Sequence, residues 1–468
     1  MNRMRSCGGI VRLSFIANLW LASITVACGA DAVPLLGPPL PATGPSTNQT
    51  ATRSELQLAP FITDVLARNP SVQAMIATWR AAGERYPQVV SLEDPMFGFM
   101  LGPQSWGSRD VEDAYMVEAR QKLPWPGKRQ FRGQEARAQT SAASLDVSDT
   151  RLEVVETAKL AYFDYYLARR QLELIRDNRK LLGQSRDVAR TKYEAGQVTQ
   201  QDVLQAEVEL ADLDRQQIEL ERMDRVAAAR INILLLRHPA APLISPPAKL
   251  PDPIGLPPSD VLQQIAIQCR PDLAAIGARI QADEAAIALA NRDFYPDLEV
   301  VGRYDAFWQP RERDLRPQVG MNLNMPIYRE RRRAAVREAS FRVSQRRAEL
   351  QQRMLDIQFA VHNGFEQVEE SRRTVGLYHG RFVPAAEQNI VAARSNYDVG
   401  NTNFLNLIQA QRQLIEIRVR QQQAISEYHR RVAQLERVIG GPIPSDCGPD
   451  VVPTPPPHVG QLHHPLIR

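Results

Sequence analysis

The sequence predicts a mainly α-helical chain with a β-barrel portion. It is built as two tandem repeats, each with a two-stranded β-hairpin and a long coiled-coil helical hairpin. Three observations predict this. YEAGQVTQQDVLQAEVEL (193–210) returns 204 positions later as YDVGNTNFLNLIQAQRQL (397–414), and the ungapped alignment of 184–210 on 388–414 holds eight identities in 27 positions. Apolar residues recur at heptad spacing over long proline-free stretches, the period of helices packed side by side. Short segments alternating at period two precede each long helix, which is strand signal.

The chain opens with a basic stretch, MNRMRSCGGIVR, and a 15-residue apolar core, LSFIANLWLASITVA (13–27). That core is short for a membrane span and suits an export signal over residues 1–32. Two processing readings stand: Thr25-Val26-Ala27-Cys28 as a lipoprotein box with Cys28 lipidated, and Ala30-Asp31-Ala32 as an ordinary cleavage site before Val33. Residues 33–56 read as an extended leader rich in Pro, Gly, Ser and Thr.

The first repeat is expected over 57–250, with a strand hairpin at 94–124 and a helical tip at 195–200. The second is expected over 251–440, with a strand hairpin at 297–326 and a tip at 399–404, followed by a Pro-rich tail, 441–468. From Gly127 to Glu194 only Gly133 and Gly183 interrupt a helical pattern, enough for roughly 100 Å at ~1.5 Å per residue. Its counterpart runs from Arg329 to Asp398, with Pro384 as the expected kink. Ala206, Leu213, Leu220 and Ala227 form one heptad line; Leu407, Leu414 and Tyr428 form the other, with Gln421 between them. Gly196 and Gly400 are expected to cap the outbound helices in a left-handed conformation and let the chain reverse.

In LEVVGRYDAFW (298–308) one side carries Leu298, Val300, Gly302 and Tyr304, the other Glu299, Val301, Arg303 and Asp305. PQVGMNLNMP (317–326) alternates Val319, Met321, Leu323 and Met325 with Gln318, Gly320, Asn322 and Asn324. PMFGFMLG (95–102) and EDAYMVEARQKLP (112–124) fill the same places in the first repeat. Such segments suit a soluble sheet laid on the helices or a membrane barrel. If they face lipid, four strands are too few to close, because the smallest membrane barrels use about eight. An open edge in lipid leaves backbone groups without partners, so several chains would have to share one barrel.

Net charge is +4, from 57 basic and 53 acidic side chains, which aims no strong field at nucleic acid. Cys7, Cys28, Cys269 and Cys447 form neither a disulfide framework nor a metal-site spacing. Nucleophile, phosphate-loop and zinc-protease motifs are absent, so neither an enzyme nor a cofactor is expected. His463 and His464 stand in the tail without a carboxylate or thiol nearby, and no metal site is read there.

The order strand hairpin, long helix, glycine reversal and returning helix, twice over, resembles the TolC-type outer-membrane efflux factors across about 57–440. The likeness rests most on the two glycine-centred segments and on FYPDLEV (294–300). QKLPWPGKR (121–129) resembles the heavy-metal branch, which serves cobalt–zinc–cadmium and copper–silver resistance. The resemblance implies a homotrimer in outer-membrane lipid of a Gram-negative bacterium. Each chain would give four strands to a twelve-stranded barrel and project its helices into the periplasm. A periplasmic adaptor and an inner-membrane efflux pump are the implied partners, with metal cations as cargo. Drugs or a secreted protein as cargo, and an exported coiled-coil scaffold without a pore, remain as alternatives.

The resemblance also implies which residues act. Adaptor docking would fall on Gly196, Gln197, Val198, Thr199, Gly400, Asn401, Thr402 and Asn403. The family's periplasmic constriction maps onto Asn406 and Gln409, with Asp202 and Gln205 in the first repeat. Amides stand where the family's second-repeat aspartates would, so amide hydrogen bonds or Asp202 are expected to hold the closed state.

Overall fold

The computed structural model describes residues 55–103, 115–306, 317–399 and 404–443. The signal with Cys28, the leader up to residue 54, Gly400 to Asn403, and the tail from 444 with Cys447 lie outside the described residues.

Each repeat begins with a helical elbow. Helices α1 (Leu58–Arg68) and α2 (Pro70–Val90) meet at Asn69, which is extended because a residue before proline is pushed out of the helical region. Asn69 Oδ1 accepts from the N–H groups of Ser71 (2.9 Å) and Val72 (3.3 Å), capping α2. The second repeat makes the same elbow differently. Between α5 (Ser259–Cys269) and α6 (Pro271–Arg292), an extended Arg270 precedes Pro271 and offers no side-chain cap. Its guanidinium instead grips Asp272 (2.7 and 2.8 Å) and donates to Val438 O (2.7 Å).

The strands are β1 (Met96–Leu101), β2 (Tyr115–Leu123), β3 (Leu298–Ala306) and β4 (Pro317–Leu323). They form one antiparallel sheet in the order β1-β2-β3-β4, so the two repeats join where β2 pairs with β3, from Tyr115 opposite Ala306 to Leu123 opposite Leu298. Strand β4 stops two residues short of the expected Met325. Asn324 N donates to Asp297 O (3.1 Å), and the chain then makes two tight turns, Ile327 N to Met325 O and Arg329 N to Ile327 O, each 2.9 Å.

The long hairpins are α3 (Lys128–Glu194, 67 residues) with α4 (Gln200–Leu234), and α7 (Arg329–Leu377) and α8 (Val383–Asp398) with α9 (Phe404–Ile439). Gly133 and Gly183 do not break α3. The kink expected at Pro384 appears just before it as a π-helical turn, Tyr378–Phe382, closed by Val383 N on Tyr378 O. Proline lacks an N–H and crowds the carbonyl four residues back, and widening one turn relieves both.

Two equivalent cores pack each elbow onto its long helices. Phe61, Val65, Tyr162, Tyr165 and Ile231 build the first; Leu262, Val361, Val368, Tyr428 and Leu435 build the second. Each such aliphatic or phenyl side chain removed from water contributes about 1.5–3 kcal/mol. The buried tyrosines keep their hydroxyls satisfied: Tyr162 donates to Leu56 O (3.0 Å) and Tyr428 to Ile254 O (3.1 Å). Burial, with Glu55 and Tyr166 nearby, pushes the Tyr162 phenol up to about 12. A third cluster lies towards the tips, where Leu182, Ala189, Ala206 and Leu213 of the first hairpin meet Tyr397, Phe404, Leu407 and Ile408 of the second.

Candidate functional site

Three regions stand out as candidate sites: the two-faced sheet, the junction beneath it and the helical tips. In a strand, alternate residues share a face, and the register extends that face across the sheet. One face carries Phe97, Phe99 and Leu101 of β1, Val117 and Ala119 of β2, Val300 and Tyr304 of β3, and Val319, Met321 and Leu323 of β4, with Gln121 as the polar exception. The opposite face carries Glu118, Arg120, Lys122, Glu299, Arg303, Asp305, Gln318 and Asn322, with Met96, Met100, Met116 and Val301 among them.

On the polar face Arg120 pairs with Glu118 and Arg303 with Asp305 (2.8 Å), and the Asn322 side-chain amide donates to Glu299 (3.0 Å). On the apolar face Phe97 is 78% exposed and Val319 84%. That is a large hydrophobic surface for one chain, of the kind that marks a membrane or partner interface. The alternation matches a transmembrane strand, apolar outside and polar inside. No helix among the described residues is long and apolar enough to cross a membrane.

Below the sheet, the two sequence segments nearest the strands close on each other. Lys128 is 4% exposed and lies between Asp293 (3.0 Å) and Asp297 (2.9 Å). Trp125 donates its backbone N–H to Asp297 (2.9 Å) and stacks on Tyr295, ring centres 5.4 Å apart. PWPGK of the first repeat and FYPDLE of the second are thus one structural unit. The sequence showed both motifs but not that they touch, because Lys128 and Asp297 lie 169 positions apart and no local pattern links them.

At the first tip, the hydrogen bonds Gln197 N to Lys192 O and Gly196 N to Tyr193 O, both 2.9 Å, with Gly196 at φ 71°, form a Schellman reversal. Gln197 and Thr199 are exposed, while Val198 is half-buried. Thr199 precedes α4, and its hydroxyl donates to Asp202 Oδ1 (3.4 Å), a carboxylate that suits a helix first turn. Asp202 and Gln205 are half-buried, whereas Asn406 and Gln409 are exposed on α9. Among the described residues, no hydrogen bond or ion pair joins Asp202 or Gln205 to Gln409.

Cross-hairpin contacts that the sequence did not signal hold this region. Arg412 pairs with Glu209, Gln411 donates to Ser185 (3.1 Å), and the Lys192 ammonium sits 4.2 Å above the Tyr397 ring. Arg169–Asp224 (3.0 Å) and Arg176–Glu221 (2.9 Å) bridge α3 to α4. A cavity of about 700 Å³ opens between α3, α4, α8 and α9, lined by Leu181, Val188, Glu209, Leu213, Ile390 and Leu407 among others. No cluster of His, Cys, Asp or Glu that could hold a metal occurs among the described residues.

Comparison with known proteins fits this geometry. Cobalt-zinc-cadmium resistance protein CzcC of Cupriavidus metallidurans is 22% identical over 296 residues, covering 62% of this chain and 68% of CzcC. Nodulation protein T of Rhizobium leguminosarum bv. trifolii is 25% identical over 327 residues, 67% of this chain and 68% of that protein. A crystal structure of CusC, described with transmembrane channel formation, superposes at TM-score 0.70 with 16% identity over 83% of this chain and 92% of that one. The model of the outer membrane efflux protein family matches residues 61–235 and 262–441. The chain belongs to the outer membrane efflux protein family, whose members are channels and not enzymes.

Proposed function

We propose that the chain is one subunit of a homotrimeric channel in the outer membrane of a Gram-negative bacterium, with its helices projecting into the periplasm. The observation that carries this is the four-stranded sheet, with one apolar face, one charged face and two unpaired edges, β1 and β4. Such edges are costly in lipid, and pairing β4 of one copy with β1 of the next removes them. The repeats expected over 57–250 and 251–440 would each give one strand hairpin to the barrel and one helical hairpin to the tunnel. A periplasmic adaptor would dock at Gly196 to Thr199 and Gly400 to Asn403, and an inner-membrane pump would drive transport.

Heavy-metal cations are the cargo that the likeness to CzcC favours. A conduit selects by width and lining charge, and the charged face would line the passage with Glu118, Glu299 and Asp305 balanced by Arg120, Lys122 and Arg303. The likeness to nodulation protein T favours a second reading, in which the same channel carries another cargo. Deleting the gene and measuring tolerance to cobalt, zinc, cadmium, copper and silver salts separates the two. Sensitivity to a cation supports the first, and unchanged tolerance to all five removes it.

For the tip, we propose that Asp202, Gln205, Asn406 and Gln409 narrow the entrance by hydrogen bonding. Asn406→Ala with Gln409→Ala should raise single-channel conductance. Unchanged conductance would remove the second-repeat pair from the gate.

A further inference from the structure

Where β4 gives way to α7, exposed apolar side chains do not end with the sheet. Met325, Ile327 and Tyr328 follow directly in the connecting turns; Ile327 is 77% exposed and Tyr328 79%. Immediately after them the chain reads Arg329-Glu330-Arg331-Arg332-Arg333. Arg333 pairs with Glu330 (2.5 Å), and Arg332 donates to Asp293 O (2.5 Å). Among the described residues Arg329 and Arg331 have no ion pair, and both are exposed. Cations in a helix's first turn oppose its macrodipole; Glu330 is the one acid in that turn and is taken by Arg333, so a further anion beside Arg329 and Arg331 would relieve the crowding.

We propose that Arg329 and Arg331, exposed in the first turn of α7, bind the phosphate headgroups of anionic phospholipid at the periplasmic edge of the membrane. The inference rests on the outer-membrane channel reading, which puts this elbow level with the inner, phospholipid-rich leaflet. Two features favour lipid as the occupant. The patch is continuous with the apolar band, so Ile327 would meet acyl chain while Tyr328 sits at headgroup level, the usual place for an interfacial aromatic. Its charge is complementary to phosphate, and guanidinium is shaped for bidentate phosphate contact. Juxtamembrane basic clusters recognise anionic lipid in this way, each basic residue strengthening association about five-fold.

The test uses the full chain reconstituted in bilayers, with spin-labelled phosphatidylglycerol and phosphatidylcholine as probes. Wild type should retain phosphatidylglycerol several-fold over phosphatidylcholine, and salt should weaken the preference. Arg329→Gln with Arg331→Gln, which leaves the Glu330–Arg333 pair intact, should bring the two lipids close to equal while the oligomer and its conductance persist. Millimolar inorganic phosphate should not compete. Equal retention of both lipids by wild type, or an unchanged preference in the variant, would overturn the proposal. So would full displacement by free phosphate, which assigns the arginines to a soluble anion, or dissociation of the variant into single chains, which assigns them to a subunit contact. Insertion and conductance without lipid preference defeat this inference alone; failure to insert defeats the channel reading as well.

Discussion

Leu236 is the only non-glycine residue with positive φ (55°) among the described residues, and it stands 204 positions before Gly440, at φ 92°. Both end a returning helix. At the first, Arg237 N reaches Asn232 O (2.8 Å) and Leu236 N reaches Ile233 O (3.0 Å). A side chain in this conformation costs about 1–2 kcal/mol. Leu236→Gly should therefore raise stability to thermal unfolding by about 1 kcal/mol, after the entropy that glycine adds to the unfolded chain. Gly440→Ala should lower it, because a Cβ there would also lie 3.1 Å from Arg270 Cα.

The neighbouring Asp272 gives a pH prediction. Burial raises its carboxyl, but hydrogen bonds and charge from Arg270 and Arg353 outweigh this and hold it at about 2. A lowered folded-state value means the contribution is complete above the unfolded value near 4 and lost as pH falls from there towards 2. Acid unfolding profiles of wild type should fall more steeply across that window than those of Asp272→Asn, and parallel profiles would refute the role. Of these residues, Gly196 was legible because glycine after a helix announces a left-handed cap. Leu236 was not, since leucine carries no such signal. The repeat offset from Gly440 was the one pointer.

At the scale of elements, the strands were legible because period-two alternation survives translation into faces. The register puts Leu298, Val300 and Tyr304 with Val319 and Met321, and Arg303 with Gln318, as the alternation predicts. Where β4 ends was not legible, because it turns on contacts with a distant segment: Asn324 N donates to Asp297 O, just before β3. The latch of Lys128 with Asp293 and Asp297 was hidden for the same reason. A matched pair of substitutions tests the two faces. Arg at Val319 should cost about 2–4 kcal/mol if the residue lies at mid-bilayer, and Arg at Gln318 far less. Unfolding of both variants from lipid vesicles measures this, and equal costs would contradict the assignment. At the tip, Gly196→Trp should abolish export while the oligomer survives, since a left-handed cap admits no bulky residue without strain and the turn is exposed. Normal export by that variant would contradict docking there.

For the whole molecule, the two repeats share an element order and meet through β2 and β3, leaving β1 and β4 as the outer edges. Family membership and helices of about 100 Å fit the proposed duct, most of whose length is helical. The family and the helical fold were legible from the repeat and the proline-free stretches. Cargo was not, because a passage recognises what it carries through its width and lining, which belong to the assembled channel and not to one chain. The central claim is that subunits complete one another's barrel. Light scattering of the detergent-solubilised full chain, with conductance recorded from the same sample in a planar bilayer, tests it most directly. The expected result is a particle of three chains that opens ion-conducting pores. A single chain that stays soluble without detergent and passes no current would contradict it.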